Sequence, residues 1–199
     1  MSSLFKTLVL VSIIFFTNTL VADEKDELKS HFFNKLEEVK TIVQNKKMSK
    51  DERYDNLIIS ITPVFDFELM AKLSLGKTHW NYLKEYEKTK FVDIYTSRMK
   101  NSYLSKLETY NDQIIKIISV IKKKNRISMK THLESDDKIL DIIYKFYKPK
   151  KIKENKDTWL IYDVEIIGVS ILKADKAQFK DFLQTKSLQE LMLALQEQK

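Results

Sequence analysis

Ile114 to Leu133 reads IIKIISVIKKKNRISMKTHL. In its second half Ile127, Met129 and Leu133 alternate with Arg126, Ser128, Lys130 and His132. That alternation suits a half-buried strand, because successive side chains leave opposite faces. KKKN then reads as a turn between a first strand, Ile114 to Val120, and a second, Arg126 to Leu133. Downstream, Lys138 to Tyr147 sets Leu140, Ile142, Tyr144 and Phe146 on one face. After the basic loop KPKKIKENK, Thr158 to Ile167 does the same with Leu160, Tyr162, Val164 and Ile166. Consecutive strands with short connections predict a four-stranded antiparallel meander that ends at Gly168.

Before Tyr110 the period is helical. Leu28, Phe32, Leu36, Val39 and Val43 recur every three or four residues between Glu24 and Asn45. Ser49 and Glu52 form a capping-box signature for a second helix, which Pro63 ends. In FDFELMAKLSLGKTHW, Phe65 to Trp80, Asp66 is placed to cap a short helix, Phe65 and Met70 to staple it, and Gly76 to close it in a left-handed conformation. Leu69, Met70 and Leu73 are read as its inward side. A fourth helix runs from about Lys84 to Leu107, with Ile94, Tyr95 and Met99 on its apolar stripe. Two more follow the strands, Ala174 to Leu183 and Leu188 to Gln198, the second opened by Ser187 and Glu190. The expected class is α+β: a four-stranded antiparallel meander packed with about six helices.

Composition narrows the function. Two glycines in 199 residues exclude most phosphate-cradling loops and nucleophile elbows, which need several close backbone approaches. There is no cysteine, so thiol chemistry and disulfides are impossible. Residues 1–22 read as a signal peptide: a charge at Lys6, an apolar run from Leu8 to Phe16, and Ala22 at the cut. Residues 23–199 then form a single exported domain, with the periplasm as the expected compartment. Removing Lys6 leaves 34 basic against 28 acidic residues, a net charge of +6. A basic exported chain suits anionic headgroups or an acidic protein face better than nucleic acid.

Side chains for chemistry are sparse. His31, His79 and His132 are far apart and fall in no ligand-spaced motif, so no metal is expected. Asp163 and Glu165 share a strand face and allow paired acid and base work, or they meet a polar neighbour. In a meander the first and third turns lie at one end. Lys122, Lys123 and Lys124 then share a rim with Lys148, Lys150, Lys151, Lys153 and Lys156. That rim is either a pair of solvated tips or a contact for a partner or a headgroup.

Three stretches together resemble the MlaC family of periplasmic phospholipid-binding proteins, also called toluene-tolerance proteins. They are FDFELMAKLSLGKTHW, KFVDIYTSRMKNSYLSKLETY, and TWLIYDVEIIGVSILKADKAQFKDFLQTKSLQELMLAL. The marks are Phe65-Asp66, Leu75-Gly76 with Trp80, Tyr110, Trp159, Tyr162-Asp163-Val164 and Gly168-Val169-Ser170. Where relatives tend to carry Thr-Pro, this chain has Leu83-Lys84.

The resemblance implies a monomeric, non-enzymatic carrier with no cofactor. Its cargo would be glycerophospholipid, shuttled between an outer-membrane lipoprotein complex and an inner-membrane ABC transporter complex with its substrate-binding ring, which maintains outer-membrane lipid asymmetry. It also implies a bent sheet of nuclear-transport-factor-like shape, with helices closing over an acyl-chain cavity. The expected lining is Leu69, Met70, Leu73, Ile94, Tyr95 and Met99 from helices. From strands it is Leu140, Ile142, Tyr144, Leu160, Tyr162, Val164 and Ile166. Two rivals stand beside the carrier: an enzyme of related shape with Asp163 as general base in an apolar pocket, and an adaptor that carries nothing.

Overall fold

The computed structural model describes residues 19–104, 113–135 and 138–197. It divides into two units, Met1–Leu36 and Glu37–Lys199. The expected leader lies almost wholly outside the described residues, as does Tyr110. In the first unit the described chain is helical from Thr19, the start of α1 (Thr19–Gln44), so the expected cut after Ala22 falls within this helix. No helix among the described residues is long and apolar enough to cross a membrane.

In the second unit, the end of α1 is followed by α2 (Lys50–Ile61), α3 (Phe67–Leu75), α4 (Lys77–Tyr82) and α5 (Glu85–Met99). Then come the sheet strands β1 (Ile114–Lys123), β2 (Arg126–Ser135), β3 (Lys138–Tyr147), β4 (Leu160–Ile166) and β5 (Val169–Ser170), and finally α6 (Ile171–Phe182) and α7 (Leu188–Glu197). The sheet order is β1-β2-β3-β4-β5 and every neighbouring pair is antiparallel. The expected meander is present, with one short strand more. The extra strand arises because Ile167 and Gly168 both take positive φ, +50° and +76°, and turn the chain back on β4.

Local chemistry accounts for the helix ends. Ser49 N–H donates to Glu52 Oε2 at 2.7 Å and Glu52 N–H to Ser49 Oγ at 3.2 Å, the reciprocal bonds of a capping box. Ser187 and Glu190 repeat the arrangement before α7. At α5 only half of it exists: Glu87 reaches back to the Lys84 N–H at 2.8 Å, and lysine has no acceptor to return. A turn of 3₁₀-helix that contains Pro63 (Thr62–Val64) leads to Asp66, whose Oδ1 accepts from the Leu69 N–H at 3.0 Å. Phe65 stacks on Phe67 with centroids 5.4 Å apart.

Gly76 closes α3 with φ +82° and ψ 155°, a region outside the left-handed helical well and essentially reserved for glycine. This lets α4 start at once, a helix not anticipated from the sequence. In the long helix the α-form ends at Met99 and the backbone passes into a π turn (Lys100–Leu104), while its expected end at Leu107 lies outside the described residues.

Val39 from the end of α1 packs with Leu57 and Ile61 of α2, and Tyr54, Ile58 and Phe65 join them. A second cluster is aromatic: Phe179 of α6 meets the edges of Phe91 and Tyr95 of α5 at 6.1 and 6.3 Å.

Candidate functional site

Register assigns the two sheet faces. Residues paired across antiparallel strands share a face. Ile115, Leu133 and Leu140 therefore lie in one row, and Ile117, Thr131, Ile142 and Ile166 in the next. Nearer the β1–β2 turn follow Val120, Met129, Tyr144 and Val164, then Ile127, Phe146 and Ile161. This face is almost wholly apolar.

Its burial changes along the strands. Ile127, Met129, Phe146 and Ile161 are buried, while Ile115, Leu133, Leu140 and Ile166 are only half-buried. The end farther from the β1–β2 turn therefore keeps accessible apolar surface. Of its half-buried members, Ile115, Ile117, Val120 and Leu133 were not among the expected lining residues. The β2 alternation already placed Leu133 on an apolar face, but β1 gives no such signal, since it is aliphatic on both sides.

A bulge corrects part of the strand reading. Lys145 pairs with Asp163 but Phe146 pairs with Ile161, so Tyr162 is the extra residue. The alternation slips there, and Leu160 and Tyr162 do not share a face with Val164 and Ile166. Tyr162 instead meets Tyr147 edge-on at 6.0 Å, with the Arg126 guanidinium 5.3 Å from its ring.

Accessibility corrects the helix side. A residue lining a hollow wide enough for an acyl chain must expose surface inside it. Met70, Tyr95 and Leu160 expose none, so they are not walls in this conformation. The inward side of α3 is Phe67, Met70, Ala71, Ser74 and Leu75, whereas Leu69 is half-buried and Leu73 is 37% exposed. Met99 and Val164 are buried, as is Ile142. Tyr144 is half-buried on the apolar face.

Tyr95 belongs to a buried polar knot. Its hydroxyl donates to Asp175 Oδ2 at 2.9 Å, while Arg98 Nη2 lies 2.6 Å from Asp175 Oδ1. Burial, and next to it the Asp175 carboxylate, pushes the Tyr95 hydroxyl far above its ordinary pKa, so it stays a donor. Ile94 and Arg98 also border a half-open cleft of about 520 Å³ between α5 and α7, with Leu193 and Leu195 opposite. This cleft is separate from the apolar sheet face.

Asp163 is buried and fully engaged. It accepts from Ser170 Oγ at 2.8 Å and from the Leu172 N–H at 3.2 Å, and it pairs with Lys145 at 2.9 Å. Ser170 in turn caps α6 through the Lys173 N–H at 3.0 Å. Burial alone would lower the Lys145 pKa, but hydrogen bonds to Asp163 and Glu165 outweigh it and hold the amine above its ordinary value. A carboxylate so occupied has no free oxygen to take a substrate proton, which removes the general-base reading. The Asp163 and Ser170 marks are structural: they tie a helix start to the sheet. Among the described residues no group of side chains forms a metal-binding cluster.

The eight expected rim lysines divide. Lys123, Lys124, Lys150 and Lys151 are exposed. Lys122 and Lys148 are half-buried, with Lys148 Nζ 5.9 Å from the Trp159 ring. Lys153 and Lys156 turn inward and are not rim residues. Lys153 Nζ pairs with Asp66 and Glu68, and Lys156 Nζ donates to the carbonyls of Thr62 and Phe65 at 2.5 and 2.8 Å. Together with Tyr147, whose hydroxyl donates to Asp66 Oδ2, they strap the basic loop to the α2–α3 junction.

The chain is thus an α+β domain whose antiparallel five-strand sheet presents one apolar, partly open face, a surface of the kind that suits an apolar ligand. The MlaC protein family model matches residues 34–197, and the chain belongs to that family. Among solved structures, a phospholipid-binding protein from Ralstonia solanacearum, determined with a phospholipid bound, superposes with a TM-score of 0.71 at 16% identity. The match covers 85% of this chain and 94% of that one. No curated protein gives a significant match.

Proposed function

We propose that this protein is a periplasmic phospholipid carrier, moving glycerophospholipid between outer-membrane and inner-membrane complexes and so helping to keep the outer membrane asymmetric. The observation that carries the reading is the half-buried row Ile115, Leu133 and Leu140 on an otherwise apolar sheet face. Family membership supports it, and so does the shared fold with a protein that binds phospholipid.

The physical requirement is shelter at near balance. Each CH₂ taken from water is worth about 0.8 kcal/mol, so two acyl chains of about 15 such groups face a gross penalty on the order of 24 kcal/mol in water. A bilayer removes the same penalty. A carrier must therefore only equal the bilayer, and aliphatic walls without directional bonds do so for chains of different length. No step requires bond chemistry, in keeping with an Asp163 already committed to Lys145 and Ser170.

Native mass spectrometry of protein purified from cells tests the reading. Co-purified phospholipid is the expected result. A clean unliganded mass after gentle handling overturns it and favours the adaptor.

A further inference from the structure

One end of the sheet gathers cations. The β1–β2 turn and the loop after β3 are tied there: the Lys148 N–H donates to the Asn125 carbonyl at 2.9 Å, and Asn125 Nδ2 donates to the Lys148 carbonyl at 3.4 Å. With Lys153 and Lys156 turned inward, the exposed lysines of this end are Lys123, Lys124, Lys150 and Lys151. None of the four meets a carboxylate among the described residues. The nearest acidic residues along the loop are Glu154 and Asp157, beyond the Lys153 strap. Ile152 stands beside these lysines with 78% of its surface exposed. Lys124 also holds φ +57°, a left-handed conformation that glycine or asparagine takes at less cost, so a cation occupies the turn apex despite the strain.

We propose that this end is a docking surface for an anionic bilayer, with the four lysines among the headgroups and Ile152 at the headgroup boundary. The proposal rests on the carrier reading above. Lysine, a flexible point charge, suits mobile headgroups, whereas fixed carboxylates on a protein partner favour the planar arginine fork. Lysine is also depleted at protein interfaces, and the aromatic residues of this end do not protrude as anchors: Tyr147 and Tyr162 are half-buried against each other, with Tyr147 bonded to Asp66 and the Arg126 guanidinium laid on the Tyr162 ring. A protruding aliphatic side chain among lysines is the pattern of interfacial binding.

The location has a consequence for transfer. Ile127, Phe146 and Ile161 are buried at this end, and the half-buried row lies at the other end of the same face. Docking therefore holds the carrier at a membrane with the open part of its apolar face turned away, so attachment and cargo exchange are separable.

Flotation of the full chain with vesicles tests this, using phosphatidylcholine alone and phosphatidylcholine mixed with phosphatidylglycerol. Binding is expected to the mixed vesicles only, and about 0.5 M salt should release it. Replacing all four lysines by glutamine should weaken binding on the order of a thousandfold, and Ile152→Ser by several-fold. Circular dichroism of both variants should match the parent, since every altered side chain is exposed.

Equal binding to both vesicle types, or full binding by the quadruple variant, overturns the proposal. So does a quadruple variant that loses an acidic protein partner when the parent binds no vesicles. Native mass spectra of the same samples keep the two readings apart. A chain that carries no lipid yet binds anionic vesicles through these lysines upholds the docking surface while removing the carrier.

Discussion

Lys153 Nζ lies 3.0 Å from Asp66 Oδ2, joining the basic loop after β3 to the cap of α3 across 87 residues of sequence. Asp66 is buried, and it serves three partners at once: the Leu69 N–H, the Tyr147 hydroxyl and the Lys153 ammonium. Burial, with the Asp66 hydrogen bond second, raises the Tyr147 pKa well above the ordinary value and keeps its hydroxyl a donor.

Removing the hub should therefore cost more than removing a spoke. Asp66→Ala loses a helix cap and leaves two donors unmatched, for an expected loss of about 2–4 kcal/mol. Lys153→Gln removes the partly exposed ammonium that pairs with Asp66 and Glu68 and should cost about 1 kcal/mol. Urea titration of both variants checks the order; a Lys153→Gln loss as large as that of Asp66→Ala would refute it.

The same strap sets an alkaline limit. Burial opposes the Lys153 charge, but hydrogen bonds to Asp66 and Glu68 prevail and raise its pKa above 10.5. A raised folded-state value means that the contribution is complete below about pH 10.5 and fades as pH climbs through the folded value. Thermal melts on either side of that pH should show the parent losing part of its margin over Lys153→Met. A margin unchanged across the range would show that the strap does not raise the amine's pKa.

Gly76 offers a test of backbone strain with little steric confusion. A Cβ there would meet Lys176 Cε at 3.8 Å, an ordinary contact, so the cost of Gly76→Ala comes from φ +82° and ψ 155°. About 1–3 kcal/mol is expected, read as a lowered melting temperature.

Arg98 and Asp175 show why a buried pair must be broken from both sides to be understood. Their side chains are 8% and 6% exposed, and Arg98 also lies 5.4 Å from the Tyr95 ring centroid. Asp175→Ala strands a buried guanidinium and should cost about 3–5 kcal/mol. Arg98→Met combined with Asp175→Leu should cost less than that single change, which denaturant titration would resolve.

What the sequence made legible follows from whether a signal is local. The Ser49 and Ser187 caps depend on residues three apart, and both form as read. The β2 and β3 alternations likewise place Met129 and Tyr144 on one face. The Tyr162 bulge was not legible, because LIYDVEI alternates equally well with or without an extra residue, and only the β3 register reveals it. Lysine charge was visible but lysine direction was not. Whether Lys153 faces solvent depends on Asp66, which is remote in sequence. Tyr95 was misread as a cavity wall for the same reason, since its partner Asp175 lies 80 residues on.

The carrier reading makes its sharpest demand at Leu133 and Leu140, paired across β2 and β3 and half-buried at the open end of the apolar face. If they shelter acyl chains, filling the space should evict cargo without harming the fold. Leu140→Trp adds bulk where there is room, so stability should change by less than about 1.5 kcal/mol while co-purified lipid falls sharply. Leu140→Ala enlarges the space, costs some stability and should leave lipid bound. An adaptor that carries nothing predicts no lipid in any of these proteins. A collapsed core predicts the reverse stability order, because a tryptophan forced into filled space is destabilising. Melting temperatures and native masses of the three proteins separate these outcomes.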